Sequence, residues 1–364
     1  MGHASRPPAQ SRSRRWIVSG CALLVAGALV AAAVVLTSPA PTADGTGGAN
    51  RPAAGGAAGA ALSTPAASLL AAAGPYVNPD SAAAVGARRA RADGRATDAA
   101  LLAKAAAQGS ARWLSTADSV ATVQARVRAF AAAAKAAGQT PVFVAYAIPD
   151  RDCGNHSAGG FTVPVYRDWS AAVARGLAGT GSVMIVEPDS LLQVYRCGNA
   201  AERFDLLRQV SAAYAAAGAE VYLDAGSSNS FGRNAKTLAD IAARLSRAGV
   251  RQVAGFATNV SNFQSTADER AYGLTLSRLL GGARFVIDTS RNGNGALQEA
   301  NRSVWCNPPG RALGDRPGAT VDGAHVANLW VKTVGLSDGT CNGGPRAGTY
   351  WEPYLLELAA NARW

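Results

Sequence analysis

The chain has 364 residues and a formal net charge of +11, a balance that would suit a polyanionic partner. Arg6, Arg12, Arg14 and Arg15 crowd the first fifteen residues, however, and the other arginines are scattered with no basic run interleaved with aromatics, so nucleic acid is excluded. The three histidines, His3, His156 and His325, are dispersed and the cysteines form no C-x-x-C pair, which argues against zinc, and no metal or cofactor is expected.

Met1–Arg15 carries those arginines without an acidic residue, and Trp16–Leu36 is nearly unbroken Ala, Val and Leu. This is the charged and then apolar order of a signal peptide, and Ser38-Pro39-Ala40 and Pro41-Thr42-Ala43 resemble its cleavage sites. Residues 1–40 are therefore read as an export signal and the protein as secreted. The apolar run also approaches the roughly 20 residues that cross a bilayer, so the alternative is a retained N-terminal anchor with the remainder outside, and only then is a membrane a partner. Residues 41–75 are Ala-, Gly- and Pro-rich, too poor in large apolar side chains to offset ordering entropy, and read as a disordered linker. Tyr76–Trp364 is long enough for one large domain and is taken as a monomer. Cys153, Cys197, Cys306 and Cys341, an even set in an exported chain, favour two disulfides, with three connectivities open.

Within this domain, strand-like and helix-like segments alternate. A helix after Asp118 runs to about Ala137, followed by a strand over 141–149, a helix near Asp168–Leu177 and a strand over 182–188. Next come a helix over 200–217, a strand over 220–225, a helix over 234–248, a strand over 252–258 and a helix over 266–280. A strand over 284–289, a long Gly- and Pro-rich stretch, a strand over 326–332 and a helix near 352–360 complete the series. Alternation of this kind implies a parallel sheet with covering helices. With so many units, closure into a distorted (β/α) barrel of mostly parallel strands with outer helices is favoured over an open sheet.

Active sites of such barrels lie at the C-terminal ends of the strands. That rim would hold Asp150, Asp152, Glu187, Asp189, Asp224, Asn259, Asp288 and Arg291, with Lys332 and Asp338. One acidic residue after a strand is ordinarily a helix cap or a turn former. Several strand ends carrying carboxylates, with no metal cluster beside them, suggest acid/base chemistry on a neutral substrate.

Asp150-Arg151-Asp152-Cys153-Gly154-Asn155-His156-Ser157, Ile185-Val186-Glu187-Pro188-Asp189, Tyr222-Leu223-Asp224-Ala225-Gly226 and Ala257-Thr258-Asn259 resemble signature blocks of glycoside hydrolase family 6. Ile287-Asp288-Thr289-Ser290-Arg291-Asn292-Gly293-Asn294-Gly295, Trp305-Cys306-Asn307-Pro308-Pro309-Gly310-Arg311 and Leu329-Trp330-Val331-Lys332 continue the resemblance in the same order, from about Tyr76 to the C-terminus. It implies a distorted barrel and inverting hydrolysis of internal β-1,4-glucosidic bonds in cellulose or a related β-glucan, the polysaccharide being the partner. In inversion one carboxylic acid protonates the leaving oxygen while a water attacks from the opposite face. By position in the motifs, Asp189 is similar to the general acid and Asp152 to the residue that holds its proton and orders water. Asp338 is similar to the aspartate that serves as base or as electrostatic partner of the transition state, although Ser337-Asp338-Gly339 alone reads as a turn.

The resemblance further implies that Tyr146 lies beneath the sugar ring at the cleavage point and that Trp113 and Trp305 line the cleft. Lys332, Asn259, Arg291 and Asp224 would bind hydroxyls or support the acids, and Trp330 would belong to the core. It implies the pairings Cys153 with Cys197 and Cys306 with Cys341. This chain departs from the family pattern at Ser227, where histidine is usual, at Ser230, where tryptophan is usual, at Leu336 in place of a glutamate, and at Ser265, where an aromatic can stand. Retained hydrolysis with a weakened or altered grip on cellulose is expected, and endo rather than processive action, because the loops look too short to roof a tunnel. The alternative is a glucan-binding protein on the same fold that no longer hydrolyses. Gly335-Leu336-Ser337-Asp338-Gly339 also matches the G-x-S-x-G nucleophile pattern. That motif needs a helix directly after it, which Thr340–Pro345 cannot form, so a serine hydrolase is rejected.

Overall fold

The computed structural model describes residues 68–155, 157–230, 234–299 and 304–364, all within one folded unit, Leu62–Trp364. The segment read as an export signal, most of the segment read as a linker, His3 and His156 lie outside the described residues.

Residues 68–75, read from sequence as the end of the linker, are part of the fold. A one-turn helix α1 (Leu69–Ala72) starts at Ser68, whose Oγ donates to Glu220 Oε2 at 2.9 Å, and Leu70 is buried. Helices α2 (Ala82–Ala92) and α3 (Ala96–Ala106) and strand β1 (Arg112–Ser115) follow, three elements that the sequence pattern did not reveal. Next come α4 (Val120–Ala136), β2 (Val142–Tyr146), α5 (Val163–Leu177) and β3 (Val183–Val186). Pro164 lets α5 begin earlier than expected, because its missing N–H falls in the first turn, where no helical partner exists. Then follow α6 (Ala200–Ala216), β4 (Glu220–Asp224), α7 (Ala235–Arg247), β5 (Gly255–Thr258), α8 (Thr266–Leu279) and β6 (Arg284–Asp288). Strand β7 (Gly318–Asp322), also unanticipated, pairs antiparallel with β8 (His325–Leu329), and α9 (Glu352–Ala360) closes the chain.

Local chemistry explains the boundaries. Asn199, Asn234 and Ser265 cap α6, α7 and α8 by accepting a backbone N–H from the first turn. Helices α4 and α6 stop where Gly138 and Gly218 take the left-handed conformation, with φ of 65° and 91°.

The sheet order is β1-β2-β3-β4-β5-β6-β8-β7, parallel throughout except for β7. The sheet curls so that the two ends approach: Ala111 N–H donates to Trp330 O at 2.9 Å and Trp113 Nε1 to Val331 O at 2.7 Å. This is the expected distorted barrel. Alternation along each strand divides the core. Val142, Val144, Ile185, Tyr222 and Val286 fill the barrel interior, while Phe143, Ala145, Met184, Leu223 and Phe285 pack outward against the α4–α8 layer. A third cluster seats α2, α3 and α9 on Trp330, which is buried as expected.

Candidate active site

The C-terminal ends of β1 to β6 and β8 open onto a cleft of about 740 Å³, whose walls include Trp113, Tyr146, Asp152, Asp189, Trp305, Lys332 and Asp338. These are seven of the residues singled out in the sequence, brought together from four separate strand ends and one long connection.

Asp189 stands on the turn after β3, in left-handed backbone with φ of 67°. Its own N–H donates to Asp224 Oδ2 at 2.9 Å, which pins the turn to the end of β4. Burial, then the charges of Asp152 and Asp338, push its carboxyl up to about 6, with Lys332 opposing. Asp152 belongs to the loop after β2. Its Oδ2 accepts Ser157 N–H at 2.7 Å and its Oδ1 accepts from Gln193 Nε2 at 3.0 Å, so two separate loops orient this carboxylate. The disulfide Cys153–Cys197 joins the same two loops.

Asp338 has the opposite electrostatics. Burial would raise its pKa, but Arg291 Nη1 and Lys332 Nζ, each at 2.7 Å, outweigh burial and hold it down at about 2. Asn307 N–H donates to Asp338 Oδ2 and Asp338 N–H to Asn307 Oδ1, and the disulfide Cys306–Cys341 braces this corner. Both disulfides pair as expected.

Tyr146 and Trp113 meet edge to face, with centroids 5.2 Å apart, and the Arg151 guanidinium lies 4.6 Å over the Tyr146 ring. Trp305, at 48% exposure, offers a broad aromatic face to the cleft.

Three residues expected to bind substrate lie beneath the cleft and not on its wall. Asn259 is fully buried, with Nδ2 donating to Asp288 O at 2.8 Å and Oδ1 accepting Gln264 N–H at 3.0 Å, so it shapes the loop after β5. Asp224 is buried and holds the Asp189 turn. Arg291 is buried and neutralises Asp338. None of the three is among the residues that line the cleft. Asp288 is likewise a loop anchor, accepting the N–H groups of Ser261, Ser290, Val331 and Lys332. Glu187 is buried too: it accepts the N–H groups of Ala147 and Ile148 and the Tyr166 hydroxyl. Sequence reasoning gave no role to Gln193, which holds Asp152 from an irregular segment whose path no periodicity discloses, or to Asn307, which it quoted only within a motif block and which holds Asp338.

The departures from the family pattern are distributed unevenly. Ser230 and Leu336 line the cleft, whereas Ser265 caps α8 and lies outside the cleft wall. Ser227 Oγ donates to Asn229 Oδ1 at 2.8 Å and lies 2.8 Å from Ser230 Oγ, forming a small hydroxyl-rich wall. Ser337 is buried, its Oγ donating to Pro345 O at 2.8 Å, and no helix begins directly after it. The serine-hydrolase reading is excluded.

The buried carboxyls make stability depend on pH. Burial pushes Glu187 and Glu269 up to about 7 from an ordinary 4.5, and Asp189 rises to about 6. A raised acid favours the folded state while protonated, so its contribution is whole below about pH 4 and is lost as pH climbs through 6 to 7. Asp338, depressed to about 2, contributes above about pH 4 and loses that contribution as pH falls towards 2. We expect the melting midpoint to peak near pH 5 and to be several degrees lower at pH 8. A thermal-denaturation series that is flat between these values would contradict the burial of Glu187 and Glu269 as titrating groups.

The sequence model of the family described as glycosyl hydrolases family 6 matches residues 70–362. The chain belongs to this family. Among its relatives, Endoglucanase A of Cellulomonas fimi is 46% identical over 271 residues, covering 74% of this chain and 58% of that protein, so the chain spans little more than half of that relative. Endoglucanase 1 of Streptomyces halstedii is 42% identical over 299 residues, covering 79% of this chain and 87% of the other. The solved endoglucanase Cel6 from Mycobacterium tuberculosis, in complex with methyl-cellobiosyl-4-deoxy-4-thio-β-D-cellobioside, superposes with a TM-score of 0.75 at 43% identity, over 81% of this chain and 99% of that one.

Proposed function

We propose that the protein is an inverting endo-1,4-β-glucanase in which Asp189 is the general acid. The observation that carries this reading is the placement of the Asp189 carboxyl on the wall of an aromatic-lined cleft that Asp152 and Asp338 also line, where burial and those two charges push it up to about 6. A carboxylic acid must keep its proton near neutral pH to donate it to a glycosidic oxygen. Asp152, oriented from two loops, orders the attacking water and keeps the acid's proton in place. Asp338, neutralised by two cations, is too weakly basic to take the water's proton. It acts as a fixed negative charge beside the oxocarbenium-like transition state, and the proton leaves through water in the cleft.

Sugar rings present apolar faces and hydroxyl edges, and Trp113, Tyr146 and Trp305 offer the matching platforms. Trp305→Ala should raise KM about tenfold with kcat little changed, because stacking on an exposed ring is worth on the order of 1 kcal/mol beyond burial. An unchanged KM would remove Trp305 from the substrate path. With Ser227, Ser230 and Leu336 in the cleft or behind it, the grip on cellulose is weakened, and another β-glucan becomes the better substrate.

The direct test is reducing-end release by the oxidised full chain from soluble β-1,4-glucan and mixed-linkage glucan, with NMR of the first-formed anomer. The α-anomer, with viscosity falling faster than ends appear, is expected. Absence of release would favour a glucan-binding protein, an initial β-anomer would refute inversion, and dominant cellobiose would refute endo action. Among the described residues no helix is long and apolar enough to cross a membrane. Two disulfides suit an oxidising compartment, so we read residues 1–40 as an export signal, testable by N-terminal sequencing of the mature protein.

A further inference from the structure

The loops carrying Asp152 and Asp189 both run through unfavourable backbone. Asp150, Asp152 and Cys153 have φ of 51°, 60° and 47°, and Glu187 and Asp189 have φ of 47° and 67°. Side chains with a Cβ stay in this region only where surrounding contacts over-determine them. The β2–β3 ladder cannot do so, because its register ends at Ala145 and Val186. Beyond that point the gap between the two loops is set by the Cys153–Cys197 disulfide and by side chains, among them Gln193 bonded to Asp152 and Glu187 bonded to the Ala147 and Ile148 N–H groups.

Arg203, on α6, lies at this gap. It is 7% exposed, and its guanidinium reaches both loops from behind the cleft. Nη2 donates to Pro149 O at 2.8 Å and to Asp150 O at 3.3 Å, on the segment leading into Asp152. Nη1 donates to Ser190 Oγ at 3.2 Å, on the residue directly after Asp189. The planar fork of arginine can satisfy two such directions at once, whereas an ammonium is a single point. Glu187, Asp150 and Tyr166 surround it electrostatically, yet Arg203 is absent from the cleft wall.

We propose that Arg203 is a positioning residue that sets the spacing of Asp152 and Asp189 by bridging the backbone of one loop to the hydroxyl beside the other. The proposal rests on reading Asp189 as the acid. The groups facing that carboxyl are Asp152 from the β2 loop, Asp224 from β4, and Lys332 and Asp338 from beyond β8. Of these four, only Asp152 lies on a loop that Arg203 grips. Releasing it lets that loop drift and water enter, which lowers the two largest influences that keep Asp189 protonated.

The test is the titration of the Asp189 carboxyl carbon by NMR, in full-length oxidised protein labelled with 13C-aspartate and assigned by the signal lost in Asp189→Asn. It requires no turnover, so it stands apart from the hydrolytic reading. In Arg203→Met the Asp189 midpoint should fall by about 0.5 to 1 pH unit as its burial and like-charge neighbour weaken. The alkaline limb of kcat should move down with it while KM holds. Arg203→Lys, which keeps the charge without the fork, should show the same direction and decides the matter if the methionine variant fails to fold. Arg244→Met is the control: Arg244 grips Leu191 O and Leu192 O on the Asp189 side alone, so its loss should lower the melting midpoint and leave the titration in place. An unmoved midpoint in the folded Arg203 variants, or an equal fall in Arg244→Met, overturns the proposal. A shifted midpoint in a chain that cleaves no glucan would keep the clamp and sink the hydrolytic reading.

Discussion

Asp189→Asn should lose hydrolysis of β-1,4-glucan by about 10²–10⁴-fold, the usual share of a positioned general acid, while the fold stays intact. The substitution is isosteric and deletes only the proton that the leaving oxygen needs. Two accompanying results separate loss of the acid from general damage. Protonation matters less as the leaving group improves, so the deficit should shrink on an oligosaccharide bearing an activated aryl leaving group. Stability should move the other way from activity at alkaline pH. The wild-type carboxyl, raised to about 6 mainly by burial, favours folding while protonated and loses that contribution as pH rises through 6. An amide has no charge to bury, so at pH 8 the variant should melt at or above the wild type. A variant that loses activity equally on both substrates and melts lower at pH 8 would show that Asp189 holds the structure together and does not donate a proton.

Much of the barrel was legible because parallel strands buried on both faces read as continuous apolar runs. Val183–Val186 and Arg284–Asp288 are such runs, and each ends at the carboxylates that mark the rim. The helices α2 and α3 were not legible for the converse reason. Their buried positions are Ala83, Gly86, Ala90, Ala99, Leu102 and Ala105, so most of the packing face is alanine or glycine amid other alanines and yields little contrast. Strand β1 is four residues long with Arg112 and Ser115 at its ends, below what alternation can reveal. At the site, the motif blocks located the strand ends correctly. They could not tell which polar group points into the cleft: Asp189 and Lys332 do, whereas Asp224, Asn259, Asp288 and Arg291 turn beneath it to satisfy loop backbone or a neighbouring charge. That choice depends on the path of the connecting loops, set by contacts between residues tens of positions apart, such as Arg291 with Asp338. The disulfide pairing likewise came from resemblance, since the four cysteines alone allow three connectivities.

Arg291→Met should destabilise the protein by about 1.5 to 3 kcal/mol, the cost of removing one of two charged hydrogen-bond donors from a buried carboxylate. Arg291 is fully buried, its Nη1 is 2.7 Å from Asp338 Oδ2, and its guanidinium lies 4.2 Å over the Phe263 ring. Methionine keeps much of the packing volume and removes the charge, leaving Lys332 as the cation at 2.7 Å from Asp338 Oδ1. The loss should therefore behave as a charge effect. The pair requires an ionised Asp338, whose folded pKa is about 2. The gap between wild type and variant should be full above about pH 4 and narrow as pH falls towards 2. Arg291→Met with Asp338→Asn should cost less than the sum of the two single changes, a non-additivity expected of direct partners, although it leaves the Lys332 ammonium without its carboxylate. Activity should not return, because the double variant lacks the fixed negative charge proposed to face the transition state. If the gap were independent of pH and the two single changes simply added in the double variant, Arg291 would serve by packing on Phe263. Asp338 would then owe its ionisation to Lys332 and to the Asn307 backbone.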